Sequence, residues 1–165
     1  MTALVVVMGV SGSGKTTVGE RLAKRLSVPY AEADDFHPPR NVAKMAAGTP
    51  LDDADRAPWL DAIASWLAEH AGGGGVVACS ALGRRYRDRL REDAPGVFFV
   101  HLDGTPELIA ERLAGREGHF MPPALLGSQF HTLEQLDADE AGGVVSIDGT
   151  PEQVLARTVA QLPEA

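Results

Sequence analysis

Gly9-Val10-Ser11-Gly12-Ser13-Gly14-Lys15-Thr16 satisfies the pattern G-x-x-x-x-G-K-[ST] in full. In such a run the glycines let successive backbone N–H groups turn inward around an anion, and the lysine adds a mobile full charge. The chemistry implied is the cradling of nucleotide phosphates. Gly9, Val10, Ser11, Gly12, Ser13, Gly14, Lys15, Thr16 and Thr17 are its candidate contacts, with Lys15 also a candidate catalytic charge and the Thr16 hydroxyl a candidate Mg²⁺ ligand. A second cluster, Glu32-Ala33-Asp34, sets two carboxylates two residues apart. At a strand end, alternation would point both to one face. Glu32 would then serve Mg²⁺ through water, and Asp34 would accept the proton of an attacking hydroxyl. Phosphoryl transfer depends mainly on positioning and charge neutralisation, so an ordinary carboxylate suffices. Surface acids in a turn show the same spacing.

Such groups need a frame. Apolar runs of strand length alternate with stretches of helical period, which predicts an α/β fold in three layers, a five-stranded parallel sheet flanked by helices. The predicted strands are Ala3–Met8, Pro29–Ala33, Val76–Cys79, Val97–Leu102 and Val144–Ile147. Helical patterns cover Lys15–Leu26, Pro39–Ala46, Arg56–His70, Arg84–Arg91, Pro106–Arg116, about Ala124–Leu133, and Pro151–Leu162. Thr105-Pro106-Glu107 and Thr150-Pro151-Glu152 carry capping chemistry, a hydroxyl followed by proline at the first helical position. Ligands of an open parallel sheet sit beyond the carboxyl ends of its strands. That edge holds the glycine-rich loop, Glu32-Ala33-Asp34 and Ser80-Ala81-Leu82.

With 165 residues, the chain suits one domain over 1–165. Its formal charge of −8 argues against broad capture of nucleic acid or an anionic membrane, so phosphate must be held locally. Cys79 is the lone cysteine, which suits a reducing interior. The longest apolar run, Ala3–Met8, is far too short to span a membrane, and the N-terminus lacks a charged region and cleavage signal, so a cytoplasmic location is expected. Gly72–Gly75 reads as a flexible connection.

Two blocks follow the acidic pair: His37-Pro38-Pro39-Arg40-Asn41-Val42-Ala43-Lys44-Met45, then Gly48-Thr49-Pro50-Leu51-Asp52-Asp53-Ala54-Asp55-Arg56-Ala57-Pro58-Trp59-Leu60. Further on stand Cys79-Ser80-Ala81-Leu82 with Tyr86-Arg87-Asp88-Arg89-Leu90-Arg91, and Gly118-His119-Phe120-Met121 with Leu125-Leu126, Ser128-Gln129-Phe130 and Thr132-Leu133-Glu134. In order and over nearly the whole chain, these blocks resemble the bacterial-type gluconokinases. The resemblance implies a P-loop fold of the nucleoside-monophosphate-kinase type and γ-phosphoryl transfer from ATP, with Mg²⁺, to the 6-hydroxyl of D-gluconate. It also implies a helical lid at about 112–134 and a homodimer.

A polyol carboxylate asks for guanidinium or ammonium groups among hydrogen-bond donors and acceptors. His37, Arg40, Asn41, Lys44, Arg56 and Ser80, beside Asp34, are the supply on the acceptor side, and Arg87 adds to it from the following helix. Arg84, Arg87 and Arg91 share a helix face, so a solvated basic stripe competes with that reading. By resemblance Arg112 and Arg116 contact nucleotide, while a helix C-terminus favouring positive charge accounts for one of them as well. His119 and Gln129 are candidate substrate contacts from the lid. Trp59, Ile63, Trp66 and Leu67 fall at helical spacing and read as core.

The sequence departs from the family pattern at Glu32, where aspartate is expected, at Gly83, where lysine is common, and at Met121-Pro122-Pro123, which shortens or stiffens the lid. A shikimate-kinase-like enzyme is the rival kinase, but it would carry a Gly-Gly-Gly turn where Cys79-Ser80-Ala81 stands. A nucleotide-dependent switch is the rival outside enzymes. Asp93-Ala94-Pro95-Gly96 matches its Asp-x-x-Gly pattern but precedes a strand, where it cannot face the γ-phosphate, and no Asn-Lys-x-Asp is present.

Overall fold

The computed structural model describes residues 3–114 and 123–163. Five strands, β1 (Leu4–Met8), β2 (Tyr30–Glu32), β3 (Gly75–Ala78), β4 (Phe98–Asp103) and β5 (Gly142–Ser146), form one parallel sheet in the order β2-β3-β1-β4-β5. Helices α1 (Lys15–Leu26), α2 (Pro39–Ala46), α3 (Asp53–Glu69), α4 (Arg84–Asp93), α5 (Pro106–Ala114), α6 (Pro123–Thr132) and α7 (Pro151–Gln161) supply the outer layers. The order explains the composition of β1. A strand with neighbours on both sides and helices on both faces has no solvated position, and all five of its residues are buried apolar ones.

Alternation along β1 divides the core. Leu4, Val6 and Met8 pack with α3 and α4 residues such as Leu60, Ile63, Leu67 and Leu90. Val5 and Val7 pack with Val18 and Leu22 of α1, Ile109 of α5 and Val154 of α7. Trp59, Ile63 and Leu67 are buried core residues, and Trp66 is partly buried against them. Gly75 is the buried first residue of β3, where a Cβ would stand 2.7 Å from Trp66, so the glycine run ends inside the sheet.

Two boundaries differ from expectation for identifiable reasons. Strand β2 stops at Glu32, and Ala33–Phe36 winds into a short 3-10 turn. Asp34 therefore lies on that turn, and strand alternation does not govern its direction. Helix α3 starts three residues early because Asp52 caps it. The Asp52 carboxylate accepts from the Asp55 amide at 2.8 Å, and the Asp55 carboxylate accepts from the Asp52 amide at 3.0 Å.

Arg84, Arg87 and Arg91 of α4 form no solvated stripe, because each is paired with an acidic residue after α6. Arg84 pairs with Asp137 and Asp139 at 2.8 and 2.7 Å, and Arg91 pairs with Glu140. Arg87 is fully buried, with Nε 2.7 Å from Glu140, and its other nitrogens donate to Glu140 and to the carbonyls of Ala81, Leu82 and Gln135. Every donor nitrogen is engaged, so its assignment as a substrate contact is corrected here. Burial alone would raise the Glu140 carboxyl, yet Arg87, the Asp137 amide and Arg91 hold it at about 2. Its contribution to stability is present above the ordinary 4.5 and lost as pH falls toward 2. Removing one member of such a pair strands a buried charge. Glu140→Gln is predicted to destabilise the fold by about 3–5 kcal/mol in chemical denaturation at neutral pH; a loss within error of zero contradicts this account.

Candidate active site

The glycine-rich loop leaves β1 and enters α1 at Lys15. At its entrance the Gly9 amide donates to the Ser80 carbonyl at 3.2 Å, which ties it to the turn after β3. Gly9 has φ +150°, and a Cβ there would stand 2.7 Å from Ser13 Oγ and 2.8 Å from the Leu102 carbonyl. At Gly12, φ +85°, a Cβ would meet Leu113 of α5 at 2.7 Å, so α5 is packed directly on the loop. Lys15 donates to the Val10 carbonyl at 3.1 Å, folded over the loop it serves.

Burial lowers the Lys15 pKa, while the fields of Cys79, Asp34 and Glu32 oppose that effect. The Asp34 and Glu32 carboxylates act on the amine from the end of β2. Burial also pushes the Cys79 thiol up to about 12, which leaves it an inert wall of the site.

Thr16 donates to Glu32 Oε2 at 3.0 Å, and Tyr30 donates to the same oxygen at 2.5 Å. Tyr30 and Glu32 share a face of β2 because they are two residues apart. Tyr30 belongs to neither the phosphate-loop nor the acidic motif, and only its two-residue spacing from Glu32 on β2 points to it. The Tyr30 ring packs against α1 at Gly19, where a Cβ would meet it at 2.7 Å.

The acceptor side is built on α3. Trp59 Nε1 donates to the Ala33 carbonyl at 2.7 Å, pinning the turn that presents Asp34. His37 stacks on Trp59 with centroids 4.6 Å apart and planes within 7°. Asn41 Nδ2 lies 2.8 Å from the Asp55 carbonyl and 3.2 Å from His37 Nδ1. Lys44 meets the Asp55 carboxylate at 2.6 Å, and that bond, with the Asp52 amide, holds Asp55 at about 2. Asn41 is fully buried, so its expected place as a direct substrate contact is corrected: it lies beneath His37.

The other candidates separate. Asp34 and Arg40 are exposed, and among the described residues neither side chain is in an ion pair. Arg56 is half-buried, 3.5 Å from Asp53, and donates to the Tyr86 hydroxyl at 3.4 Å. Gln129 of α6 meets the phosphate loop, its Oε1 accepting from the Ser11 amide at 2.7 Å and its Nε2 donating to Ser11 Oγ at 3.3 Å. Arg112 donates to the carbonyls of Ile147 and Gly149 at 2.5 and 3.3 Å, beyond the end of β5. Arg116 and His119 lie outside the described residues. Asp93-Ala94-Pro95-Gly96 precedes β4, at the opposite end of the parallel strands from the loop.

A phosphate loop at the end of the central strand and carboxylates at the end of the edge strand make a phosphotransferase site of the P-loop kinase class. Residues 11–139 match the shikimate kinase family. The chain is 52% identical to a gluconokinase of Gluconobacter oxydans over 94% of its own length and 88% of that protein. A crystal structure of a gluconokinase from Sinorhizobium meliloti superposes with a TM-score of 0.89 at 46% identity, covering 96% of this chain and 90% of that one. A sugar kinase from Janibacter gives 0.88 at 50% identity, covering 98% and 94%. The chain belongs to the shikimate kinase family and, within it, to the gluconokinases.

Burial is the largest influence on His37 and lowers its pKa; Arg56 lowers it further and Asp34 opposes. The neutral ring is therefore favoured in the folded state. Its stability contribution is intact above 6.5 and is lost as pH falls from 6.5 through the depressed value. An NMR titration of the His37 ring should give a pKa below 6.5; a value at or above it contradicts the arrangement.

Proposed function

We propose that this chain transfers the γ-phosphoryl group of ATP to the 6-hydroxyl of D-gluconate, forming 6-phospho-D-gluconate. The observation that carries the reading is the Thr16–Glu32 hydrogen bond, which joins the phosphate loop to the acidic end of β2, in a chain about half identical to gluconokinases. Loop amides and Lys15 hold the phosphates, and the α1 N-terminus adds its dipole. Thr16 and Glu32 fit Mg²⁺, because they offer adjacent hard oxygen donors beside the loop. When bound, the ion supplies charge neutralisation on the phosphate oxygens. Tyr30 holds the longer Glu32 side chain against Thr16.

Asp34 accepts the proton of the attacking hydroxyl. Arg40, exposed and unpaired among the described residues, and Arg56 are the carboxylate contacts favoured by geometry; Lys44 already answers Asp55. His37 and Ser80 face the polyol. The reading includes, from the resemblance, one domain with a lid at about 112–134, nucleotide contacts from Arg112 and Arg116, a lid contact from His119, and a cytoplasmic homodimer. Ala81 follows Ser80 with φ 44° where a shikimate kinase would carry glycine, so no observation favours that second reading.

Coupled ADP release should respond to gluconate and not to shikimate or a nucleoside monophosphate, each measured against no acceptor; a response only to one of the latter rejects the assignment. Asp34→Asn should retain ATP binding while turnover falls on the order of 10²–10⁴-fold. Tyr30→Phe should raise the Mg²⁺ concentration needed for tight binding of a fluorescent nucleotide about tenfold. An unchanged Mg²⁺ titration would remove Tyr30 from the metal's support.

A further inference from the structure

The contact between Asn41 and His37 determines more than the position of the ring. Asn41 Nδ2 is a donor only, and it has two hydrogens. One is directed to the Asp55 carbonyl at 2.8 Å and the other to His37 Nδ1 at 3.2 Å. Exchanging the amide's nitrogen and oxygen is no alternative, because the oxygen would then lie 2.8 Å from the Asp55 carbonyl oxygen. His37 Nδ1 is therefore an acceptor and carries no hydrogen. The ring's one hydrogen is on Nε2, which has no hydrogen-bond partner among the described residues. An imidazolium would oppose an N–H to the N–H of Asn41, so the contact excludes the charged ring as well.

The surroundings leave little freedom for any other state. Trp59 fixes the ring plane by stacking at 4.6 Å. Asn41 is anchored through Asp55, whose carboxylate is tied to Lys44 and to the α3 cap. Asn41 Oδ1 is buried without a hydrogen-bond partner, a cost to stability that packing does not account for. The charged groups acting on His37 are Asp34, on the turn before it, and Arg56, on α3.

We propose that Asn41 is a positioning residue that locks His37 as the neutral Nε2–H tautomer, so that His37 donates a hydrogen bond to an oxygen of the acceptor. The donor role rests on the reading above that the acceptor is a polyol carboxylate. A ring whose Nδ1 is engaged and whose Nε2 already carries hydrogen cannot take up the substrate proton. Asp34 is then the proton acceptor on this side, and His37 selects an oxygen-bearing position on the substrate. Sequence reasoning treats His37 and Asn41 as two parallel contacts; the geometry arranges them in series.

NMR of the imidazole nitrogens, with the His37 signals assigned by their loss in His37→Gln, reads the tautomer directly and needs no substrate. The wild-type protein should show a neutral ring with unprotonated Nδ1 and protonated Nε2. Asn41→Leu, similar in size but lacking a donor, should give a mixture of tautomers and raise KM for gluconate about tenfold, with a smaller change in kcat. Asn41→Asp, an acceptor at the same place, should draw hydrogen onto Nδ1; it sets an oxygen against the Asp55 carbonyl, so lower stability is expected of it, and the wild-type spectrum carries the test if neither variant folds. A wild-type Nδ1–H or imidazolium signal overturns the proposal even if neither variant folds. So does an unchanged tautomer in a folded variant, or a changed tautomer with unchanged KM. If the expected tautomer is found but wild-type protein shows no gluconate-dependent ADP release, the gluconate reading and the donor role built on it fail, and the tautomer lock stands.

Discussion

A polyanion must be bound by a protein of net charge −8, and that constraint governs the rest of the structure. A diffuse positive field is not available, so attraction has to come from groups whose positions are fixed in advance. Strand β1 provides the fixed point. It is buried along its whole length, paired with β3 and β4, and continues directly into the loop. The Gly9 amide bonded to Ser80 then makes the loop and the turn after β3 one unit. Lys15 is the single full positive charge within the loop; burial lowers its pKa, and the carboxylates opposite work against that lowering. The acids that would repel phosphate elsewhere thus favour the charged amine here.

The acceptor half depends on the first turns of α3, which need supply few direct contacts. The Asp52–Asp55 cap sets the start of the helix, and Asp55 then receives Lys44 on its carboxylate and Asn41 on its carbonyl. One turn later Trp59 bonds the Ala33 carbonyl and lies flat against His37. Core packing and site construction are therefore the same event at Trp59: its indole is buried for hydrophobic reasons, and its N–H can only be satisfied where the acidic turn passes. The two halves meet at Glu32, which receives Thr16 from the loop side and Tyr30 from its own strand.

What could be read in the sequence was what is local in the chain. The phosphate loop is eight consecutive residues, β1 is an unbroken apolar run, and the order of strands and helices follows from period alone. The failures have a common physical origin in partners distant along the chain. Arg87 is claimed by Glu140, 53 residues on, and Gln129 by Ser11, 118 residues back, distances at which no spacing rule operates. A polar residue between site residues reads as an exposed contact, whereas Asn41 is buried and its partner Asp55 lies in the first turn of a helix capped by Asp52. The Glu32-Ala33-Asp34 alternation failed because an edge strand of three residues gives way to a 3-10 turn, where carboxylate directions no longer follow the pleat.

The correction at Arg87 does not separate that residue from function. Its guanidinium donates to the carbonyls of Ala81 and Leu82, the turn that follows Ser80 and contains the left-handed Ala81. The same group donates to the Gln135 carbonyl, and the Glu134 amide donates to the Leu82 carbonyl at 2.7 Å. The chain leaving α6 and the turn beside the phosphate loop are thus fastened at one buried point. A non-glycine residue held at φ 44° stores strain that the surroundings must oppose, and three hydrogen bonds from Arg87 and Glu134 do so. Substituting Arg87 would therefore disturb Ser80 and the Gly9 contact through the backbone, which is why loss of activity there would not mark a ligand. The family motif around this arginine records a demand of the fold at the place where the fold makes the site.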